Sequence, residues 1–108
     1  MRSRKQHRWQ GQSGELYTYD VYEWPIRLSS GPGNYILARC ISPGEWQPVL
    51  IGECDDLSAL VDDGRLRNGF VRDGVTHIHV RPTLNPATIR RREVGDLAAQ
   101  WNLPVDPF

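Results

Sequence analysis

Cysteine is scarce in this 108-residue chain, Lys5 is the lone lysine among thirteen basic residues, and neither sign of charge is in excess. Two cysteines, Cys40 and Cys54, are too few for a disulfide scaffold. With no secretion signal they read as reduced, packed thiols. Long apolar runs are also missing. Nothing approaches the roughly 20 residues that span a bilayer, and the N-terminal "MRSRKQHRWQ" lacks the apolar centre of a signal peptide. The expectation is a cytoplasmic protein with no membrane partner. Thirteen acidic residues balance the basic ones, so bulk charge attracts no polyanion. What is present is 39% apolar residues with four tryptophans, enough for one domain with a single modest core.

Residues 1–14 show no periodicity and end in "GQSG", which reads as a flexible basic tail before a single domain over 15–108. "ELYTYDVYEW" alternates, with Tyr17, Tyr19 and Val21 on one side and Leu16, Thr18, Asp20 and Tyr22 on the other. That is a strand. "NYILARCI" and "QPVLI", separated by the turn "SPGEW", form a hairpin, and "VTHIHV" is a further strand with Val75, His77 and His79 on one face. Asp55 or Asp56 caps a helix carrying Leu57, Leu60 and Val61. "RLRNGFVRDG" is compatible with a short helix. Asn85 as N-cap and Pro86 as first helical residue open a long helix through Trp101, with Val94, Leu97, Ala98 and Trp101 as its apolar stripe. The fold class is α+β, a small and mainly antiparallel sheet flanked by helices.

"GNY" beginning at Gly33, "LIG" ending at Gly52 and the following "ECDDLSALV" resemble the GIY-YIG nuclease superfamily. There a Gly-x-Tyr strand pairs with a Tyr-Ile-Gly strand that leads into a helix. "DGVTHIHV" and "GDLAAQWNLPVD" look like the third strand and C-terminal helix of small bacterial members, so the likeness extends over 16–106. The resemblance implies magnesium-assisted phosphodiester hydrolysis by a tyrosine, a metal-binding carboxylate and an arginine. Tyr35 matches the first tyrosine, whereas the second falls at Leu50 and the helix arginine at Leu60, eight residues after Gly52. Arg65 and Arg67 lie too far along to replace it. The metal carboxylate falls at Val94, or at Glu93 if the register moves by one, a rotation of about 100° on a helix. Asp106 stands where the family has an asparagine. Gly33 and Gly52 are kept for the backbone, while the chemistry beside them is largely lost.

The reading that follows is a degenerate, catalytically inactive GIY-YIG-like domain that binds nucleic acid or another partner. Its cations for DNA or RNA would be Arg2, Arg4, Lys5 and Arg8 together with Arg90, Arg91 and Arg92. One alternative is an active, divergent magnesium-dependent endonuclease using Tyr35 with Glu53 or Glu93. Another is a protein-binding module presenting its aromatic residues. His77 and His79 have zinc-ligand spacing, but no third ligand is evident, and two histidines hydrogen-bonded or solvated on a half-buried face are the favoured reading. Glu53, Asp55 and Asp56 suit a hard cation or simply the start of a helix. Tyr17, Tyr19, Tyr22, Trp24 and Trp46 suit base stacking or cross-strand packing.

Overall fold

The computed structural model describes residues 5–23, 26–62 and 74–106. Five strands form one antiparallel sheet: β1 (Gln6–Gln10), β2 (Leu16–Glu23), β3 (Gly33–Ser42), β4 (Glu45–Cys54) and β5 (His77–Pro82). Their spatial order is β1-β2-β5-β3-β4, so β5 enters between the two hairpins and pairs with both. Helix α1 (Ala87–Trp101) lies on one face. A 3₁₀ helix (Leu57–Asp62) and the loop around Leu28 contribute to the other. The expected hairpin, the strand containing His77 and the packed C-terminal helix are all present. No helix among the described residues is long and apolar enough to cross a membrane.

The strand sequences explain this layering. β3 is buried at every position from Gly33 to Ala38, as a central strand covered on both faces must be. Tyr35 and Leu37 point to one apolar cluster with Leu57, Leu60, Val75, Ile78 and Val80. Ile36 points to the other, where Val94 and Leu97 of α1 meet Trp9, Tyr17, Tyr19 and Ile51. β2 alternates as its sequence predicts, with Tyr17, Tyr19 and Val21 inward.

Several local expectations need correction. The segment read as a flexible tail contains β1, which pairs with β2 from Gln6↔Asp20 to Gln10↔Leu16. "GQSG" is the turn of that hairpin, closed by Gly11 N–H on the Glu15 carbonyl and by Gly14 N–H on the Gly11 carbonyl. Gly14 sits at φ 91°, which a residue with a Cβ rarely adopts. Trp9 anchors the strand at 2% exposure. The segment after Asp55 is 3₁₀ and not α-helical, although Asp56 does receive the Ser58 N–H at 3.1 Å. Pro86, in an extended conformation, occupies the N-cap expected of Asn85, and its carbonyl takes the Ile89 and Arg90 N–H groups. Val75 precedes β5 and joins Ile78 and Val80, on the face opposite His79. The short helix considered within "RLRNGFVRDG" lies outside the described residues, apart from Gly74.

At the end of α1 the chain turns through Asn102, whose left-handed backbone (φ 54°, ψ 53°) directs its N–H to the Ala98 carbonyl. The next residues run back along β4. Ile51 N–H reaches the Pro104 carbonyl and Asp106 N–H reaches the Ile51 carbonyl, making a parallel bridge at Val105. The exposed edge of the hairpin is thereby partly covered.

His79 is the most demanding polar group in the core. It is fully buried, and its Nδ1 accepts the Trp9 indole N–H at 3.0 Å, which places the proton of the neutral ring on Nε2. Among the described residues Nε2 has no oxygen or nitrogen partner, and the Trp46 ring stands at a steep angle to it at 4.7 Å. Burial first, then the nearby His7 and His77, push the His79 pKa down to about 3. The folded value is below the unfolded one, so this neutral ring stabilises the fold above about pH 6.5 and the contribution is lost as pH falls towards 3. The loss should be on the order of several kcal/mol, and His79→Phe should flatten the stability profile over pH 3.5–6.5 in urea titrations. Trp9→Phe, which removes the donor to Nδ1, should lower stability by about 1–3 kcal/mol at neutral pH in the same measurement.

Candidate functional site

The two motif glycines mark close approaches. A Cβ on Gly52 would strike the Tyr35 hydroxyl and ring carbon Cζ. One on Gly33 would lie 2.7 Å from both the Arg81 carbonyl oxygen and Leu57 Cδ1. Tyr35, paired directly with Gly52, uses the vacant space to extend its ring across β4. Its hydroxyl donates to Asp106 Oδ2 at 2.5 Å. The C-terminal segment is thus tied to the middle of the sheet by one charge-assisted hydrogen bond.

Beside this bond lies a cleft of about 300 Å³ lined by Glu53, Arg91, Val94, Gly95, Val105 and Asp106. β4 supplies Glu53, α1 supplies the arginine, valine and glycine, and the returning chain supplies the remainder. Val94, the position that the resemblance assigns to the metal carboxylate, therefore borders the cleft with an alkyl group. Glu93 turns elsewhere. Its Oε1 accepts Asn34 Nδ2 at 3.1 Å and Arg81 Nε at 3.2 Å beneath the helix. The two neighbours on α1 point apart because a helix rotates by about 100° per residue.

Leu50 and Leu60 belong with Tyr35 in the apolar cluster on the far face, Leu60 buried and Leu50 half-buried. The structure therefore brings together three of the positions singled out by the resemblance, two of them with hydrocarbon side chains. Glu53 is held by guanidinium groups, with Oε1 receiving Arg90 Nε at 3.1 Å and Oε2 receiving Arg91 Nε at 3.4 Å. Arg90 also reaches Asp55 at 2.6 Å and the Asn85 carbonyl at 2.8 Å. Glu53 and Glu93 are both ion-paired, and the described residues contain no group of three or more His, Cys, Asp or Glu able to hold a metal.

The basic run does not form one surface. Arg90 is only 4% exposed and belongs to the interior, whereas the Arg91 side chain is 67% exposed and Arg92 is also at the surface. Lys5 and Arg8 are exposed at the start of the sheet; Arg2 and Arg4 lie outside the described residues. His77 is half-buried and packs edge-to-face on Trp46 at 4.6 Å. Among the described residues it does not join a zinc-type cluster with His79. Tyr17 and Tyr19 are buried, so neither presents a ring for stacking; Trp24 is outside the described residues. The free thiols Cys40 and Cys54 lie near opposite ends of the β3–β4 hairpin, and burial raises Cys54 to about 11.

Arg81, Asn34 and Asp96 had no sequence signal of their own. Asp96 accepts the Tyr17 hydroxyl at 2.8 Å and the Ser13 hydroxyl at 2.7 Å, fastening α1 to the first hairpin. These hydrogen bonds lower the Asp96 pKa, and burial is the first cause raising that of Tyr17. Arg81 also stacks over Tyr17 at 5.6 Å.

Gly52→Ala should destabilise the protein by about 1–3 kcal/mol, because the buried Tyr35 ring must shift. Gly95 is different. Among the described residues outside the helix backbone nothing lies within 4 Å of a Cβ built there, and Gly95→Ala should raise stability by about 0.5–1 kcal/mol through helix propensity. Thermal and urea melts of the two variants test both signs.

Comparison with family models, curated proteins and solved structures found no match to the chain.

Proposed function

We propose that the chain is an interaction domain on a GIY-YIG-like scaffold, without phosphodiesterase activity, that contacts nucleic acid in the cytoplasm. The observation that carries this reading is the engagement of Tyr35, whose fully buried ring donates its hydroxyl to Asp106. That carboxylate engages the hydroxyl a general base would have to offer to a water. The surrounding groups support the same reading. Leu50, Leu60 and Val94 transfer no proton, and Glu53 and Glu93 are neutralised by arginines. Exposed Arg91, Arg92, Lys5 and Arg8 supply phosphate contacts. The reduced thiols suit an intracellular compartment.

An active divergent endonuclease is the second reading, favoured by one observation. Asp106 and Arg91 border the same cleft, and Asp106 touches the Tyr35 hydroxyl. The protein-partner reading draws less support, because the inward aromatic residues of β2 are covered.

Purified protein with magnesium or manganese should leave single- and double-stranded substrates intact; metal-dependent cleavage abolished by Tyr35→Phe would establish the endonuclease instead. Binding should weaken with salt, with a log-log slope of about −0.9 per phosphate contact on duplex DNA. Arg91→Ala and Arg92→Ala should each reduce that slope by up to one contact. Arg90→Ala should instead lower folding stability, by roughly 3 kcal/mol, because it removes the buried partner of Glu53. Unchanged binding in the Arg91/Arg92 double variant would remove this helix from the interface.

A further inference from the structure

We propose that β1 is an acid-released edge strand, latched by the hydrogen bond from the Trp9 indole N–H to His79 Nδ1 and opened when His79 takes up a proton. The latch operates whichever partner the domain binds.

Its hydrogen bond has one polarity. Nδ1 of a neutral imidazole offers a single lone pair, and in the buried interior the Trp9 N–H occupies it at 3.0 Å. Protonation makes both ring nitrogens donors, so the indole N–H then faces another N–H with no acceptor between them. One of the two side chains must leave. His79 lies on β5, which is paired to β2 on one side and to β3 on the other, whereas Trp9 lies on β1, an edge strand of five residues paired to β2 alone. Trp9 is the mobile partner. It is also the one fully buried side chain of β1, so its withdrawal removes the strand's anchor.

The charged groups around the ring act in the same direction. His7 on β1 stands 6.0 Å from His79, ring to ring, and His77 on β5 packs on the same Trp46 ring. After burial, the larger cause, these two histidines hold the His79 pKa down to about 3. Lys5 lowers and Glu23 raises the pKa of His77. Burial keeps the Tyr19 phenol of β2 neutral. β3, β4 and α1 meet this face with Ile36, Ile51, Val94 and Leu97, none of which titrates. The carboxylates of α1 are engaged elsewhere, Glu93 by Asn34 and Arg81, and Asp96 by Ser13 and Tyr17. Among the described residues no carboxylate is hydrogen-bonded to His79.

Release of β1 carries His7 and Lys5 away with Trp9 and lets water solvate the protonated ring. The turn that follows is fastened separately. The Gln10 carbonyl accepts the Trp101 indole N–H at 3.0 Å, the Gln12 N–H reaches the Asp96 carbonyl at 3.1 Å, and Ser13 bonds the Asp96 carboxylate. Residues 5–9 therefore swing out from a turn that stays on α1.

Native-state hydrogen exchange of the full chain, followed by NMR in low urea, reads the latch at two protons. They are the Trp9 indole N–H and the Val21 amide, which bonds the Lys5 carbonyl at 3.0 Å. Both should exchange through a local opening that urea scarcely accelerates, and faster than the amides of β3, which follow the urea-sensitive global transition. With intrinsic exchange rates divided out, lowering the pH from 6.5 to 4.5 should raise this opening constant about fiftyfold, because the ring titrates at about 3 when latched and at 6.5 when released. In His79→Gln, whose side-chain carbonyl still accepts the indole N–H, the change should stay below about threefold. Exchange of the two protons only with the global transition at both pH values, or a local opening indifferent to pH, would overturn the inference. So would an acid response that persists in folded His79→Gln protein. Wild-type exchange decides the first two points even where the variant does not fold.

Discussion

A tyrosine ring that must cross a neighbouring strand requires a glycine beneath it, and the pairing of Tyr35 with Gly52 is the constraint on which this architecture turns. With that space, the Tyr35 hydroxyl reaches beyond β4 to the Asp106 carboxylate. The chain after α1 is thereby held along β4, through two backbone hydrogen bonds at Ile51 and one from the phenol. The same bond holds Asp106 at one side of the cleft. The same contact thus serves both the packing of the sheet and the shape of the cleft.

Beneath α1 a second set of interactions works by charge. Arg90 lies under the helix start with Glu53, Asp55 and the Asn85 carbonyl, and Arg81 faces Glu93 and Asn34. Buried charges of this kind need partners because desolvation penalises an isolated ion heavily, and removing one partner is costlier than never having placed the pair. Three consecutive arginines consequently have unequal roles. Arg90 is structural, whereas Arg91 and Arg92 stay within reach of solvent.

The first hairpin shows how a short polar strand becomes part of the core. β1 has five residues, and Trp9 is its one fully inward side chain, yet that indole contacts His79, Trp101 and the apolar cluster beneath α1. Its N–H on His79 fixes the tautomer of a histidine that burial keeps neutral. Asp96 fastens the turn after β1 through Ser13 and Tyr17. A segment with weak local periodicity is ordered by contacts to residues some seventy to eighty positions away.

Much of the fold was legible because strand alternation and helical spacing are local. Tyr17, Tyr19 and Val21 announced β2, the apolar run from Tyr35 to Ala38 announced a central strand, and Val94 with Leu97 announced the inward side of α1. The close approach at Gly52 was partly legible as well, since a glycine in a strand signals missing volume. β1 was not, because its burial rests on one tryptophan whose partners are remote in sequence. Nor could charge counting separate Arg90 from Arg91, since only the rotation of α1 over β4 places one in the interior beside Glu53, within reach of the exposed Asp55. The sequence by itself determined β2 to β5, the C-terminal helix and its inward residues, because side-chain chemistry and periodicity are properties of the chain. Only the tertiary structure decided which oxygen receives the Tyr35 proton, which arginine is sealed and where a cleft opens, because hydrogen bonds, ion pairs and empty space depend on distances between residues that the sequence keeps far apart.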